Sequence, residues 1–353
     1  MEVLRKFMEY GKIAGKLLSA SKPLHLTFFV TSKCNYQCKT CFNWRNLNSE
    51  KKELSLKEIN KVSESIGKLG WLLISGGEPF LRKDIDKIIK IFQDRCKPFV
   101  TTIVTNGFNK RIIKDKMMRI LNNNSDSPIN VIFSIDGFEK THKKIRGKNL
   151  KQTIDSYFKI KKLQEKYPLL SVGVATLYNK HNQKEIDELY RYVKDELDPD
   201  NWCLTMIRGN PKDECLKDID TEKYFDTLRI SQKDQEEKQK YYKVPFKNSF
   251  LKKEKIKNDI INKTLTRDDF RFKCFAGGKS IVLREDGTVM PCEIIDNNLG
   301  NVRDFDYDLK KIIKSPESKN FRDKVKKEKC SCTHECNIST NIMFDPKKLL
   351  KII

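Results

Sequence analysis

The chain of 353 residues has no uninterrupted apolar run approaching the roughly 20 residues of a membrane-spanning helix. Its N-terminus also lacks the continuous apolar core of a secretory signal; Lys or Arg recurs there every few residues instead. Acidic residues are in deficit, 48 Asp+Glu against 71 Lys+Arg, which leaves a net charge of +23. Such an excess suits nucleic acid, an acidic membrane surface or anionic substrates. However, there is no nucleic-acid motif and no aromatic-rich basic strip, and the lysines are interleaved with acids along nearly every segment. No nucleic-acid partner is therefore expected, and a lysine-rich solvated surface is the plainer reading. These absences point to a cytoplasmic protein. With 38% apolar and 34% charged residues, it is long enough for one large domain and a smaller one.

What the chain does have is cysteine: eleven, an odd number, unevenly placed. An odd and clustered set favours metal clusters in a reducing compartment over a disulfide framework. Cys34, Cys38 and Cys41 stand at C-x3-C-x2-C, just after an apolar run, Leu26 to Val30, that reads as a strand. Thiolates this close suit an iron–sulfur cluster, or a zinc site completed by a distant fourth ligand. On a four-iron cluster, three cysteines leave one iron open to substrate or cofactor. A second group, Cys274, Cys292, Cys330, Cys332 and Cys336, with His334 among them, occupies a short loop-rich stretch of the kind that metal ligation pins. Cys96, Cys203 and Cys215 read as packing residues or free thiols.

Periodicity organises the rest. Residues 1–23 form a basic amphipathic segment, with apolar side chains at steps of three and four between Val3 and Leu18, that reads as a helix. A helix of this kind packs on the domain or makes a peripheral membrane contact through residues 1–18, at the inner membrane face. From residue 24 to 240, strand-like runs alternate with helical ones. The strands are Leu26–Val30, Trp71–Ile74, Val100–Val104, Val131–Ile135, Val172–Ala175 and Trp202–Ile207. Helices are expected after Ser55, where Ser55 and Glu58 make a capping box, and near 85–92, 110–122, 150–166, 183–195 and 221–239. Six strand–helix units imply a parallel sheet, an α/β fold in the form of a partial (βα)6 TIM-like barrel. Chemistry in such barrels collects at the C-terminal strand ends. The cysteine loop, Gly76–Pro79, Thr105–Gly107 and Ser134–Gly137 all fall there. Residues 241–268 read as a charged linker or helix, and 269–345 as a small Cys-rich cluster-binding domain containing a β-hairpin with Asp286-Gly287 in its turn.

Together these motifs resemble the radical S-adenosylmethionine (SAM) superfamily with a C-terminal SPASM or twitch extension. The resemblance rests on the Cys34, Cys38, Cys41 signature, on Gly76-Gly77-Glu78-Pro79 at the second strand, on Ser134-Ile135-Asp136-Gly137 followed by His142 and Arg146, and on Cys274-x12-Gly287-x4-Cys292. It implies that Cys34, Cys38 and Cys41 ligate a [4Fe-4S] cluster whose fourth iron takes SAM. Reductive cleavage would then yield a 5′-deoxyadenosyl radical that abstracts hydrogen from a substrate. It further implies SAM-binding roles for Gly76, Gly77, Glu78, Ser134, Asp136, Arg146 and Asn182. An auxiliary [4Fe-4S] cluster is implied on Cys274, Cys292 and two of Cys330, Cys332 and Cys336, with a ferredoxin or flavodoxin as electron donor. Two features depart from the pattern. Thr40 stands where an aromatic or large apolar residue usually precedes the third cysteine, leaving Tyr36 or Phe42 for the adenine contact. The C-terminal region has five cysteines where a full SPASM domain commonly has seven. About 25 residues precede the first strand, too few for a peptide-recognition domain, so a small molecule, sugar or lipid precursor is as good a substrate expectation as a peptide. The alternative is a non-catalytic zinc or iron–sulfur scaffold that binds a partner through its basic surface.

Overall fold

Strands rich in β-branched and aromatic residues, each followed by an amphipathic helix, build the first two-thirds of the protein. The computed structural model describes residues 25–123, 127–240, 247–328 and 332–352, so the basic N-terminal segment and Cys330 lie outside the described residues. The strands are β1 (His25–Phe29), β2 (Trp71–Ser75), β3 (Val100–Thr105), β4 (Ile129–Ser134), β5 (Leu170–Tyr178) and β6 (Asn201–Met206). They pair in parallel in sequence order, and β6 is not joined back to β1. The curved sheet is thus an unclosed (βα)6 barrel, as the alternation implied.

The outward strand faces carry Leu26, Phe28, Leu72, Ile74, Ile103, Val131, Phe133, Val172 and Val174. Against them pack α1 (Leu56–Ile66), α2 (Ile85–Cys96), α3 (Lys110–Asn122), α5 (Leu150–Lys161) and α6 (Ile186–Tyr192), whereas α4 (Glu139–Arg146) sits at the strand ends beside the cysteine loop. The Ser55–Glu58 capping box is present: the Ser55 hydroxyl accepts from the Glu58 N–H, and the Glu58 carboxylate accepts from the Ser55 N–H. Helix α4 was not anticipated, because its eight residues, Glu-Lys-Thr-His-Lys-Lys-Ile-Arg, bury only His142 and Ile145.

The C-terminal hairpin forms as expected, β7 (Ser280–Leu283) to β8 (Thr288–Met290), with Gly287 at φ +89° in the turn. It does not stand apart. Strand β7 pairs in parallel with β1, and β8 then carries the short β9 (Gly300–Asn301), which makes one nine-stranded sheet. The charged stretch after the barrel is mostly helix: α7 (Thr221–Lys240) and α8 (Lys247–Thr266). Helices α9 (Leu309–Lys314) and α10 (Pro316–Lys327) follow the hairpin, and α11 (Glu335–Phe344) and α12 (Pro346–Ile352) come last. A second apolar cluster, Ile260, Ile261, Ile338, Ile342 and Ile352, ties α8, α11 and α12 together.

Helix α11 spans the opening of the barrel. The Met206 N–H of β6 donates to Glu335, the Thr340 hydroxyl meets His25 of β1 at 3.0 Å, and the Ser280 hydroxyl of β7 donates to Asn337. Since Leu26 and Ile281 point outward into the main core, His25 and Ser280 point inward by strand alternation.

Candidate active site

The cysteine loop after β1 is held from several sides. The Gly77 N–H donates to the Thr31 carbonyl and the Glu78 N–H to the Lys33 carbonyl, both at 2.8 Å. A Cβ on Gly76 would lie 2.5 Å from the Thr31 oxygen, and one on Gly77 2.2 Å from the Lys33 oxygen. The two glycines are therefore demanded by the approach of two backbones, one of which carries the cysteines. Asn48, whose role the sequence did not betray, is at φ +54°. Its side chain accepts from the Cys34 N–H and donates to the Cys34 carbonyl. Farther along, the Lys39 N–H donates to the Ile145 carbonyl at the end of α4, and Lys212 and Asp213 donate back to the Cys41 and Lys39 carbonyls.

Glu78 is 1% exposed and accepts from the Phe80 N–H, the Thr105 hydroxyl and the Asn106 N–H. Burial pushes its carboxyl up to about 7, against the pull of those donors. It ties the ends of β2 and β3 together immediately beneath the cysteine loop. Asn106 continues the tie by donating to Asn35 inside that loop.

Asp136, just beyond β4, is fully buried; its carboxylate accepts from the Leu177 N–H at 2.8 Å and from Arg146 Nε at 2.7 Å. The same guanidinium stands 3.9 Å from the Cys38 sulfur. Burial opposes charge on Arg146, but Asp136 and Cys38 outweigh it and hold the guanidinium protonated. Asn182 donates to the Asp136 and Leu177 carbonyls, so its side chain braces the strand ends. Ser134 is the last residue of β4 and is buried. The residues expected on four different strand ends thus converge around one loop. Among them, Asp136, Arg146 and Asn182 are already engaged with one another or with backbone.

Thr40 is buried at 4%, and Tyr36 is buried as well. Phe42 turns into the barrel, where it packs on Phe29, Val282 and Met290.

The second cysteine group lies towards the other end of the strands: β8 runs antiparallel to β7, so Cys292, two residues past Met290, is level with Ser280 and His25 at the starts of β7 and β1. Cys292 is buried, and its sulfur accepts from the Ile295 N–H at 3.4 Å. The acids beside Cys292 and Cys336 are fixed. Glu293 pairs with His334 Nε2 at 3.0 Å and lies 3.8 Å from Arg208, which also pairs with Glu335 at 2.6 Å, the residue before Cys336. His334 caps α11 through Nδ1, which accepts from the Asn337 N–H. Both of its ring nitrogens are therefore committed, and it is not available as a ligand. Cys96 is buried in the main core and Cys203 and Cys215 stand on β6 and the loop beyond it, away from both groups in sequence. No described cysteine is in a disulfide.

Residues 28–193 match the Radical SAM superfamily, and residues 274–337 match SPASM, an iron-sulfur cluster-binding domain. The chain belongs to the radical SAM superfamily. Related proteins include the Fe-coproporphyrin III synthase of Methanosarcina barkeri, 27% identical over 56% of this chain and 48% of that protein. The GTP 3',8-cyclase of Helicobacter pylori is 26% identical over 84% of this chain and 91% of its own length. The antilisterial bacteriocin subtilosin biosynthesis protein AlbA of Bacillus subtilis is 25% identical over 89% and 66% respectively. The chain spans about half the length of the first of these relatives. Among solved structures, Streptococcus suis SuiB bound to S-adenosylmethionine superposes with a TM-score of 0.60 at 18% identity, covering 91% of this chain and 72% of that one. Native anSMEcpe with bound AdoMet gives 0.59 at 17%, covering 94% and 97%. The unclosed barrel with its C-terminal extension is thus the fold of these enzymes.

This radical SAM enzyme uses SAM and iron–sulfur clusters, and its cysteine chemistry fits them. Burial pushes the Cys34 thiol up to about 11 and the Cys41 thiol up to about 12, and it raises Cys38 despite Arg146. In the second group burial pushes Cys292 up to about 11 and Cys336 up to about 12. Burial raises Cys96 and Cys203 in the same way, so the shifts do not single out ligands; a bound cluster iron would supply the positive charge that lets such thiols ionise. Among the described residues no three His, Cys, Asp or Glu side chains converge tightly enough to hold a single ion. Cluster ligation puts each thiolate on its own iron and does not require such convergence.

Proposed function

We propose that this protein is a radical SAM oxidoreductase in which Cys34, Cys38 and Cys41 hold the SAM-binding [4Fe-4S] cluster, while Cys274, Cys292 and two of Cys330, Cys332 and Cys336 hold one auxiliary cluster. The observation that carries the reading is the lock between the Gly76-Gly77-Glu78 backbone and the cysteine loop, which fixes the three thiols at the strand ends. When bound, the cluster and SAM supply a 5′-deoxyadenosyl radical that abstracts hydrogen from a C–H bond.

The chain's own part is positioning. Gly76 and Gly77 bring backbone groups up to the methionine end of SAM, and Glu78 offers a carboxylate already oriented by three donors. Arg146, held by Asp136 and facing Cys38, supplies positive charge beside the cluster thiolates and the SAM carboxylate. Ser134 and Asn182 line the ribose end. Phe42, turned inward beside Phe29 and Met290, helps keep water from the reacting centre. The reductant is a ferredoxin or flavodoxin.

The substrate is a small molecule, a sugar or lipid precursor, or a peptide. A peptide is favoured by one observation: anSMEcpe, whose length this chain matches almost fully, has been solved with a bound Cp18Cys peptide, so a barrel of this extent has room for one. Anaerobic reconstitution should give about eight irons per chain for two four-iron clusters. Reductant and SAM should then yield 5′-deoxyadenosine. A sample with intact clusters that leaves SAM uncleaved would overturn the proposal.

A further inference from the structure

Between the two cysteine groups sits a buried cation that the chemistry above does not use. Arg284 follows β7 and, like Val282, turns into the barrel. Its guanidinium lies 6.0 Å from the Phe29 ring, and Nη1 is 3.8 Å from the Met290 sulfur. Nη2 is 3.4 Å from Oδ1 of Asn43. Asn43 is two residues beyond Cys41 and Met290, at the end of β8, two residues before Cys292, so this contact joins the first cysteine loop to the strand that leads to Cys292.

Arg284 is 6% exposed and Asn43 5% exposed, yet Nε of Arg284 and Nδ2 of Asn43 have no hydrogen-bond partner. Two adjacent, buried, unsatisfied donors are costly, the charged one more so. Both lack the same thing, an acceptor. The adjacent Glu285 makes a long ion pair with Nη2 at 3.7 Å, but neither of its oxygens accepts a hydrogen bond, and Nε of Arg284 stays without an acceptor. Burial also raises the Glu285 carboxyl, which weakens it as a counter-ion.

We infer that Arg284 and Asn43 form the anchor for an anionic oxygen group of the substrate, a carboxylate or a phosphate, held inside the barrel between the SAM-binding loop and Cys292. This rests on the radical SAM reading and narrows its substrate to molecules that carry such a group. The guanidinium fork donates to the anion and Asn43 adds a donor from the cysteine-loop side. The apolar wall of Phe29, Val282, Met290 and Phe42 leaves the adjoining carbon skeleton dry.

The test uses the reconstituted full chain and calorimetric titration with inorganic phosphate and, separately, acetate, each at constant ionic strength set with chloride. Wild-type protein should bind one of the two anions in preference to chloride, and the choice separates a phosphate from a carboxylate substrate. Arg284→Gln should weaken that binding about tenfold or more, and Arg284→Lys should recover part of it. If Arg284→Gln loses iron, Asn43→Asp serves instead. It keeps the shape, places a negative charge at the site and should abolish anion binding. Equal affinity in wild type and these variants, or no preference over chloride in wild type, overturns the anchor. SAM cleavage by the wild-type sample is measured alongside. Cleavage without anion binding refutes the anchor alone, whereas absence of cleavage refutes the reading on which it rests.

Discussion

The Gly77 Cα and the Lys33 carbonyl oxygen are so close that any side chain at residue 77 would begin 2.2 Å from that oxygen. Gly77→Ala must therefore push the cysteine loop off its seat. We expect a cost of about 3 kcal/mol, the upper end for overpacking, read as a lower denaturant midpoint of the apo protein. Iron bound after reconstitution should fall by about four per chain, one cluster's worth, with the auxiliary cluster retained. A wild-type iron content in this variant would mean that the glycines serve something other than the loop contact.

The Asp136–Arg146 pair makes an asymmetric prediction. Asp136→Asn keeps an acceptor for the Leu177 N–H but leaves a buried guanidinium without its carboxylate. Breaking one side of a buried pair costs about 3–5 kcal/mol, whereas removing both partners costs far less. The double variant Asp136→Asn with Arg146→Met should therefore be more stable than Asp136→Asn alone in urea melts. The double variant should still lose SAM cleavage, because Arg146 faces Cys38.

His25 predicts a pH dependence. Its ring is stacked on Trp71 at 4.4 Å, and burial lowers its pKa from 6.5 to about 4. A base held neutral in the folded state gives stability that is complete above about pH 6.5. That stability is lost as pH falls towards 4, where the unfolded chain takes up a proton that the folded one refuses. The full swing is roughly 3 kcal/mol. His25→Gln should flatten the difference between denaturation midpoints at pH 7.5 and pH 5. An unchanged slope would place the titrating group elsewhere.

The two cysteine groups should separate spectroscopically. Cys34→Ala, Cys38→Ala and Cys41→Ala should each abolish 5′-deoxyadenosine formation and remove about four irons. Cys292→Ala should leave the spectrum of the SAM-binding cluster in place. Loss of both clusters on Cys292→Ala would show that the groups assemble as one unit.

Much of the fold was legible because the barrel is written in local patterns. The Ser55–Glu58 box, the strand runs and the Asp286-Gly287 turn each depend on residues within a few positions of one another. The site motifs were legible too, but the reasons for some of them were not. Gly76 and Gly77 were expected to make room for a ligand, and they make room first for the carbonyls of Thr31 and Lys33. Arg146 and Asn182 also hold Asp136, a structural role that no local pattern signals. Asn48 went unnoticed because nothing in its neighbours signals a left-handed turn that grips Cys34 from fourteen residues away. Helix α11 and the pairing of β7 with β1 depend on contacts between opposite ends of the chain, which no local pattern encodes.

That pairing sets an order of assembly. His25 meets Ser280 across 255 residues and Thr340 across 315. A ribosome adding about 5–20 residues per second makes β1 at least about 13 s before the strand that covers its far side. During that interval β1 pairs only with β2 and offers an open edge, the kind that recruits other chains. Strand β7 and helix α11, made late, therefore secure the first strand, and any truncation or stall before residue 280 should leave a product that needs chaperoning rather than a smaller working barrel.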